Sequence, residues 1–356
     1  MKYVEIEVSG MNAETIVERM MSWSIATILF CSGCSGETGE KNVPASNECK
    51  GDTTVFTYLL PLPPNAVTVA DFAVNDNFVY FTDADGRVLK MPVEGGEVVT
   101  LASGEILPLH IAVDDENIYW TTDSGIRTMS LSGGIPTTLA AGMGTPQGIA
   151  INEQFVYWTT NLSRLMRVAL DGSGVTQLAD ESATSYAFAG LTLDAGRVYW
   201  ASQGEIGGTN GAILTMPLAG GEITTLATGQ SGPSRVAVDE ANVYWTNAGD
   251  FNTPVGLMQA PIGGGPPKTI VSAQSQVYAQ YNAIGGVFVN ARGLFYTTRG
   301  TKEYDYYDGT VTRLSLESGA ATTLASAIHN ASDSLVMRGC NLYFAAAGNM
   351  HRMLVQ

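Results

Sequence analysis

The chain is poor in basic residues, histidine and cysteine. Its 356 residues include 18 Lys and Arg against 34 Asp and Glu, a formal net charge of -16, with three His and four Cys. A charge of this sign argues against nucleic-acid binding through phosphate neutralisation and against electrostatic docking on anionic lipid. The sequence also lacks a P-loop, a dinucleotide fingerprint, a GxSxG elbow and paired zinc-binding cysteines. These absences remove the best-defined nucleotide, hydrolase and zinc chemistries.

No apolar run is long enough for a permanent membrane-spanning helix. Residues 22–33, SWSIATILFCSG, have the length of a signal-peptide core, and CSGC closes this segment at Cys34. The ending resembles a bacterial lipobox, with Cys31 where leucine is usual, and implies lipidation of Cys34. A plain secretory signal and an uncleaved anchor are the alternatives. Four Glu in the first 19 residues make a poor signal n-region, so translation is expected to begin at Met20 or Met21.

The segment after the signal is polar and aperiodic, so residues 35–51 are predicted to form a flexible tether. Export implies an oxidising compartment. If Cys31 leaves with the signal and Cys34 takes lipid, two cysteines remain in the exported protein. Cys49 and Cys340 are therefore predicted to form a disulfide.

Glycine is abundant, with 40 residues, and a short pattern recurs seven times. The clearest copy is His110–Asp123, HIAVDDENIYWTTD: an apolar strand, an acidic turn, and a second strand that ends in an aromatic pair. Successive aromatic pairs begin 38 to 51 residues apart, the length of a four-stranded propeller blade. The pairs are Tyr80-Phe81, Tyr119-Trp120, Tyr157-Trp158, Tyr199-Trp200, Tyr244-Trp245, Phe295-Tyr296 and Tyr343-Phe344.

This repeat predicts an all-β fold, a seven-bladed β-propeller of four-stranded antiparallel blades; six blades with a decorated end is the alternative. Glycine pairs such as Gly95-Gly96 supply the positive φ that tight hairpins need. The last unit has only three strands. The segment DTTVFTYLL, residues 52–60, resembles the fourth strands and is predicted to complete that blade and cover its edge. The predicted organisation is a signal segment over 1–34, a tether over 35–51 and one propeller over 52–356.

The most patterned residues are predicted to serve the fold. Strands that pack between neighbouring blades are buried on both faces, so the Tyr-Trp pairs are expected in the core. Asp114 and Asp239 stand at turn positions where a carboxylate caps its own backbone. A calcium site at these acidic turns is the alternative.

The repeat, quoted as IAVDDENIYWTTDSGIRTMSLSGG, resembles the YWTD propellers of the low-density-lipoprotein-receptor type and, more broadly, bacterial NHL-like propellers. The sequence departs from the YWTD motif at its fourth position. Only Tyr80–Asp83, which reads YFTD, keeps the aspartate there. The receptor domains have six blades, so their ligand surface is not transferred. The resemblance implies a rigid, extracytoplasmic scaffold that binds proteins or other large ligands. Together with the lipobox-like segment, it leads us to expect a monomer at a bacterial cell envelope, anchored in the outer membrane by lipid or secreted. The expected partner is a protein, peptide or glycan.

Long loops on one face of the fourth to sixth blades form the first candidate site. They carry aromatic residues with interleaved amides and carboxylates, which suit a sugar, a peptide or a protein loop. Packing of the loops on one another as a lid is the alternative. The candidate ligand-binding residues are Tyr186, Phe188, Phe251, Tyr278, Tyr281, Tyr304, Asp305, Tyr306 and Tyr307.

The second candidate site is a ring made by the first residue of each inner strand, which should line the mouth of the central channel. Its members are Asp71, His110, Gly148, Gly190, Arg235, Gly286 and Ser334. His329 and His351 map near the same face. Convergent His and carboxylate groups can act as a general base or bind a metal, and the set resembles propeller lyases of the streptogramin-lyase type. A lyase or hydrolase is therefore the alternative to a non-enzymatic scaffold without metal or cofactor.

Overall fold

The computed structural model describes residues 56–60, 69–181, 187–205, 208–248, 255–273, 284–299, 309–328, 331–346 and 349–355. All of them lie within the compact unit Asn47–Gln356. The regular structure in these ranges consists of β-strands, and none of them contains a helix long and apolar enough to cross a membrane.

Seven antiparallel four-stranded sheets follow one another along the chain, which confirms the seven-bladed propeller over the six-bladed alternative. The first strand is β1 (Phe56–Leu60), and the first blade contains β2 (Val69–Val74), β3 (Phe78–Asp83), β4 (Arg87–Pro92) and β5 (Val99–Ser103). The second contains β6 (Ile111–Val113), β7 (Asn117–Thr121), β8 (Gly125–Ser130) and β9 (Thr137–Ala141). The third contains β10 (Pro146–Ile151), β11 (Phe155–Thr160), β12 (Arg164–Ala169) and β13 (Thr176–Asp180).

The remaining blades keep the same order. The fourth contains β14 (Phe188–Leu193), β15 (Arg197–Ser202), β16 (Gly211–Pro217) and β17 (Thr224–Gln230). The fifth contains β18 (Pro233–Val238), β19 (Asn242–Asn247), β20 (Val255–Pro261) and β21 (Lys268–Ala273). The sixth contains β22 (Ile284–Asn290), β23 (Gly293–Thr298), β24 (Gly309–Leu314) and β25 (Ala321–Ile328). The seventh contains β26 (Ala331–Arg338), β27 (Asn341–Ala346) and β28 (Asn349–Leu354).

The first strand of each blade faces the centre of the ring. Each of these inner strands contacts the next, and β26 contacts β2, so the seventh blade packs beside the first. The core lies between blades and is built from the repeated aromatic pairs. Trp120, Trp158, Trp200 and Trp245 are 0–1 % exposed, as predicted for residues packed between two sheets.

The outer edge of the seventh blade carries β1, which pairs antiparallel with β28, Phe56 opposite Met353. This is the strand that the sequence predicts there. Arg352 on β28 also contacts the first blade, because its Nη1 donates to the Val93 carbonyl at 3.1 Å. Cys340 is disulfide-bonded; its predicted partner Cys49 lies outside the described residues, so that pairing stays a prediction.

The turn between the first two strands of a blade is held by an Asx side chain. Asp114 Oδ1 accepts the N–H groups of Glu116 and Asn117 at 2.8 and 2.6 Å, while Oδ2 accepts the Tyr119 hydroxyl at 2.8 Å. Burial, followed by the hydrogen bond to this carboxylate, raises the pKa of Tyr119. Within the described ranges, no group of three or more His, Cys, Asp and Glu could hold a metal ion. The acidic turn and the tyrosine are thus one structural unit.

Candidate functional site

A β-bulge interrupts the inner strand of six blades near the residue predicted to line the channel. In each of these strands the register against the second strand shifts once. The residues that bound the shift are Val69/Asp71, Pro146/Gly148, Phe188/Leu191, Pro233/Val236, Ile284/Val287 and Ala331/Leu335. The ring residues therefore lie inside or at the end of a bulge, and the prediction that they begin the strands is wrong for these six blades. In the second blade His110 directly precedes β6. Bulges redirect side chains, here toward the axis.

The bulged residues meet around a cavity of about 210 Å³ at the centre of the ring. Six of the seven predicted ring residues line it: Asp71, His110, Gly148, Gly190, Arg235 and Ser334. Gly286 is not among the lining residues, and its neighbour Val287 takes that place. An apolar layer completes the wall, with residues such as Phe72, Ile149 and Leu335. The cavity thus combines polar residues from four blades with an apolar lining.

Close approach of the inner strands explains two of the ring glycines. A Cβ on Gly190 would lie 2.7 Å from the Ser234 carbonyl oxygen, and one on Gly148 would lie 2.9 Å from Leu191 Cδ2. A side chain at either position would force its neighbour to shift. The glycines let the polar side chains of the other blades share one small space.

Asp71 is the centre of the polar cluster. Its Oδ2 lies 3.3 Å from His110 Nδ1 in the second blade, and its Oδ1 accepts the Ser334 hydroxyl of the seventh blade. The backbone N–H of Phe72 also donates to Oδ1, at 2.8 Å. The side chains of Asp71 and His110 are only 16 % and 15 % exposed. One carboxylate therefore joins three consecutive blades around the channel.

The environment keeps Asp71 ionised. Burial raises the pKa of this carboxyl, but the hydrogen bond and charge of His110, with Ser334 and Arg235, outweigh burial and hold the pKa below its usual value. The cluster thus holds a negative charge that lies near the Arg235 guanidinium and contacts His110 and Ser334.

Threonine hydroxyls from the second strands position several ring residues. The backbone N–H of His110 donates to Thr121 Oγ1 at 3.0 Å, and that of Arg235 donates to Thr246 Oγ1 at 3.1 Å. Gly286 N–H donates to Thr297 Oγ1 at 2.8 Å in the same way. Sequence reasoning did not assign these threonines. Their signal was the recurring Thr directly after the aromatic pair, as in Tyr119-Trp120-Thr121.

The cluster can bind a polar group or move a proton, but it is not a Ser-His-Asp triad. In such a triad the imidazole lies between the hydroxyl and the carboxylate, whereas here Asp71 lies between Ser334 and His110. His110 Nδ1 faces the carboxylate, and Nε2 has no hydrogen-bond partner among the described residues. This second nitrogen is the group that a ligand or a substrate proton would meet.

Two predicted site residues lie in the core instead. His351 is on β28, where its ring stacks on Phe344 at 4.9 Å and Nε2 lies 3.3 Å from the Ala346 carbonyl. Burial lowers the pKa of His351 against the smaller opposing effect of that hydrogen bond, and the residue does not line the channel cavity. Phe188 is 0 % exposed and packs against Trp200 with ring centroids 5.8 Å apart. Neither side chain is placed to meet a ligand from solvent.

The other candidates lie outside the described residues. They are Cys34, Cys49, Tyr186, Phe251, Tyr278, Tyr281, Tyr304, Asp305, Tyr306, Tyr307 and His329. The aromatic loop sector therefore stays a prediction.

The ring of sheets and the cavity on its axis define a seven-bladed β-propeller. Similar solved structures include the WD40 propeller domain of Doa1, with a TM-score of 0.62 and 15% identity over 85% of this chain and 98% of that one. The extracellular domain of a hybrid two component system from B. thetaiotaomicron has a TM-score of 0.62 and 13% identity over 84% of this chain and 39% of that one. A puromycin-hydrolyzing peptidase of Mycobacterium tuberculosis has a TM-score of 0.58 and 13% identity, with 79% and 49% covered.

These likenesses establish the propeller fold alone, because their identities are low and the three proteins differ in kind. No family model and no curated protein matches the sequence. The particular use of this propeller has to be argued from its own residues.

Proposed function

We propose that the protein is a binding propeller whose channel-mouth cavity receives one polar group of a larger ligand. The observation that carries this proposal is the cluster of Asp71, His110 and Ser334, in which three blades place polar groups in one cavity. A volume of about 210 Å³ is below the roughly 300–1,000 Å³ of sites that enclose a whole small molecule. The cavity suits a single side chain or sugar unit, and the rest of the ligand would lie on the surrounding face.

The chemistry of the cavity favours a neutral group with a hydroxyl or amide over a second charge. Asp71 already has the charge of Arg235 nearby and hydrogen-bond contacts with His110 and Ser334, so an added ion would lack a partner of its own. His110 Nε2 can donate to or accept from a hydroxyl or amide, depending on its tautomer. Peptides and glycans supply such groups, in agreement with the predicted partners. The aromatic loops of the fourth to sixth blades would extend the contact.

A glycan and peptide array tests this proposal. Wild-type protein is compared with His110→Ala and with a variant in which Tyr304, Tyr306 and Tyr307 are all Ala. We expect His110→Ala to lose the wild-type signals while it remains folded at the temperature of the assay. Loss only in the tyrosine variant would move the site to the loops, and equal profiles in all three proteins would remove both sites.

A lyase or hydrolase is the second candidate, favoured by the 3.3 Å contact of His110 Nδ1 with Asp71. A carboxylate at Nδ1 orients an imidazole and supports it as a general base through Nε2. Turnover of a lyase or lactone panel by wild type, reduced about a hundredfold or more in His110→Ala, would support this candidate. Binding of a ligand without turnover would contradict the enzyme and support the non-enzymatic binding propeller.

We further propose a lipid-anchored location at a bacterial cell envelope, based on the lipobox-like CSGC segment and the resemblance of the repeat to extracytoplasmic YWTD and NHL-like propellers. Radiolabelled palmitate should be incorporated into wild-type protein and not into Cys34→Ala. Equal labelling of the two proteins would contradict lipidation at this residue.

A further inference from the structure

A second cavity, of about 710 Å³, lies between the third and fourth blades. It is lined by the turns between the first and second strands of both blades, which are at the opposite end of the inner strands from the channel-mouth cluster. The residues that matter for its chemistry are Phe155, Arg167, Asp194, Leu218 and Ala219. This size fits a small organic molecule.

Arg167 supplies the positive charge of this cavity and is only partly engaged. Its Nη1 donates to the Leu218 carbonyl of the fourth blade at 2.6 Å, and its guanidinium lies 4.6 Å from the centroid of the Phe155 ring. Its Nε is buried and has no hydrogen-bond partner among the described residues. Because a buried atom cannot be reached from the cavity, a ligand acceptor would meet the terminal nitrogens of the guanidinium, as the Glu94 carboxylate meets Nη1 of Arg352.

The junction of the seventh and first blades shows the same arrangement with an acceptor built in. Arg352 stands opposite Tyr343 in its sheet, as Arg167 stands opposite Tyr157. Arg352 Nη1 donates to the Val93 carbonyl at 3.1 Å and pairs with the Glu94 carboxylate at 2.6 Å. Burial lowers the pKa of Arg352, but the hydrogen bond and charge of Glu94 outweigh it and the pKa is raised.

The sequences of the two junctions differ at the acceptor. Pro92-Val93-Glu94-Gly95 in the first blade corresponds to Pro217-Leu218-Ala219-Gly220 in the fourth, and each proline ends its third strand. Leu218 therefore replaces Val93 as the carbonyl partner, and Ala219 replaces Glu94. The junction at Arg167 keeps the cation and the carbonyl contact and lacks the carboxylate.

We infer that the cavity beside Arg167 binds the carboxylate of a small organic ligand, in the place that the Glu94 carboxylate takes beside Arg352. The apolar part of the ligand would contact Phe155, Leu218 and Ala219. Of the acidic residues in the lining, Glu153 is exposed, so its charge is screened by solvent. Asp194 is engaged by its own turn, since Oδ1 accepts the N–H of Arg197 at 2.7 Å and Oδ2 accepts the Tyr199 hydroxyl at 2.6 Å.

Benzoate and its neutral isostere benzamide are suitable probes, titrated into the full-length protein and followed by NMR. We expect saturable binding of benzoate and no binding of benzamide. Ala219→Glu should weaken benzoate at least tenfold, because the new carboxylate occupies Arg167 as Glu94 occupies Arg352. Ser132→Glu is the matched control: it adds the same charge at the corresponding position of the second blade, beside the carbonyl of Leu131, which accepts from Lys90. Its benzoate affinity should stay within twofold of wild type.

Absence of saturable benzoate binding, equal binding of benzamide, or unchanged affinity in Ala219→Glu would each overturn the inference. A second measurement tests, without a ligand, whether the Arg167 guanidinium can accept a carboxylate as a partner. Ala219→Glu should raise the melting temperature in the wild-type background and not in Arg167→Leu; equal shifts in both backgrounds would also contradict it. Because the site is separate from the channel mouth, His110→Ala should leave benzoate binding unchanged, so failure here is distinguishable from failure of the proposed function.

Discussion

The two ends of the inner strands are built on different rules, although the same strands form both. At the turn end, an acidic side chain bonds a tyrosine of its own blade, and the unit recurs as Asp114 with Tyr119, Asp194 with Tyr199 and Asp239 with Tyr244. At the channel end, Asp71 bonds residues of two other blades, and no other described blade repeats its cluster. The recurring bonds between acidic side chains and tyrosines hold the turns, and the bonds of Asp71 to two other blades form the candidate site.

The largest effect is expected from a side chain at a channel glycine. Gly190→Ala would bring a Cβ within 2.7 Å of the Ser234 carbonyl oxygen, and overpacking against backbone should cost about 3 kcal/mol in the free energy of unfolding. Gly263→Ala is the control, since no atom lies within 4 Å of its Cβ. Urea denaturation measures both. Similar small losses would show that the channel end is not closely packed.

A somewhat smaller effect is expected at the turn end. Asp114→Ala removes the acceptor of Tyr119 and of two turn N–H groups, which should cost about 2 kcal/mol. Ligand binding should remain as in wild type. If Asp114→Ala lost ligand binding and kept the stability of wild type, the turn end would serve binding and not the stability of the fold.

The charge of Asp71 should appear in the pH dependence of stability. Its folded pKa is lowered, so ionised Asp71 contributes stability above its unfolded pKa of about 3.9, and this contribution is lost as the pH falls through the lower folded value. The difference in unfolding free energy between wild type and Asp71→Asn should therefore shrink below about pH 4. A difference that is constant from pH 7 to about pH 2 would show that the charge of Asp71 is not stabilised.

The smallest effect concerns the hydrogen-bond acceptor that Trp158 lacks. Trp120 Nε1 donates to Glu105 at 3.0 Å and Trp245 Nε1 donates to Gln230 at 3.0 Å, each fifteen residues earlier. Met143 stands at the matching position before Trp158, whose buried Nε1 has no partner among the described residues. Met143→Gln should raise the unfolding free energy by up to about 1 kcal/mol. Met143→Leu is the control for the loss of thioether packing. Equal unfolding free energies of the two variants would show that the glutamine does not supply an acceptor to Trp158.

The repeat predicted the blades because each aromatic pair marks a strand that must be buried on both faces. It also predicted six of the residues that line the channel cavity, since the counterpart of His110 can be counted in every blade. The bulges at Asp71 and Ser334 could not be predicted, because one or two extra residues in a strand leave no mark in an apolar pattern. The placements of Phe188 and His351 failed because each borders a loop in sequence, while packing against Trp200 and Phe344 draws the side chain inward.

Array binding by His110→Ala, compared with that by Asp114→Ala, separates the roles of the two ends of the inner strands. Both variants change one polar residue of the second blade, at opposite ends of its inner strand. We expect His110→Ala to lose the wild-type glycan or peptide signals while it remains folded at the assay temperature. Asp114→Ala should melt at a lower temperature than wild type and keep those signals below its melting temperature. Retained signals in His110→Ala, with loss in Asp114→Ala, would contradict this expectation.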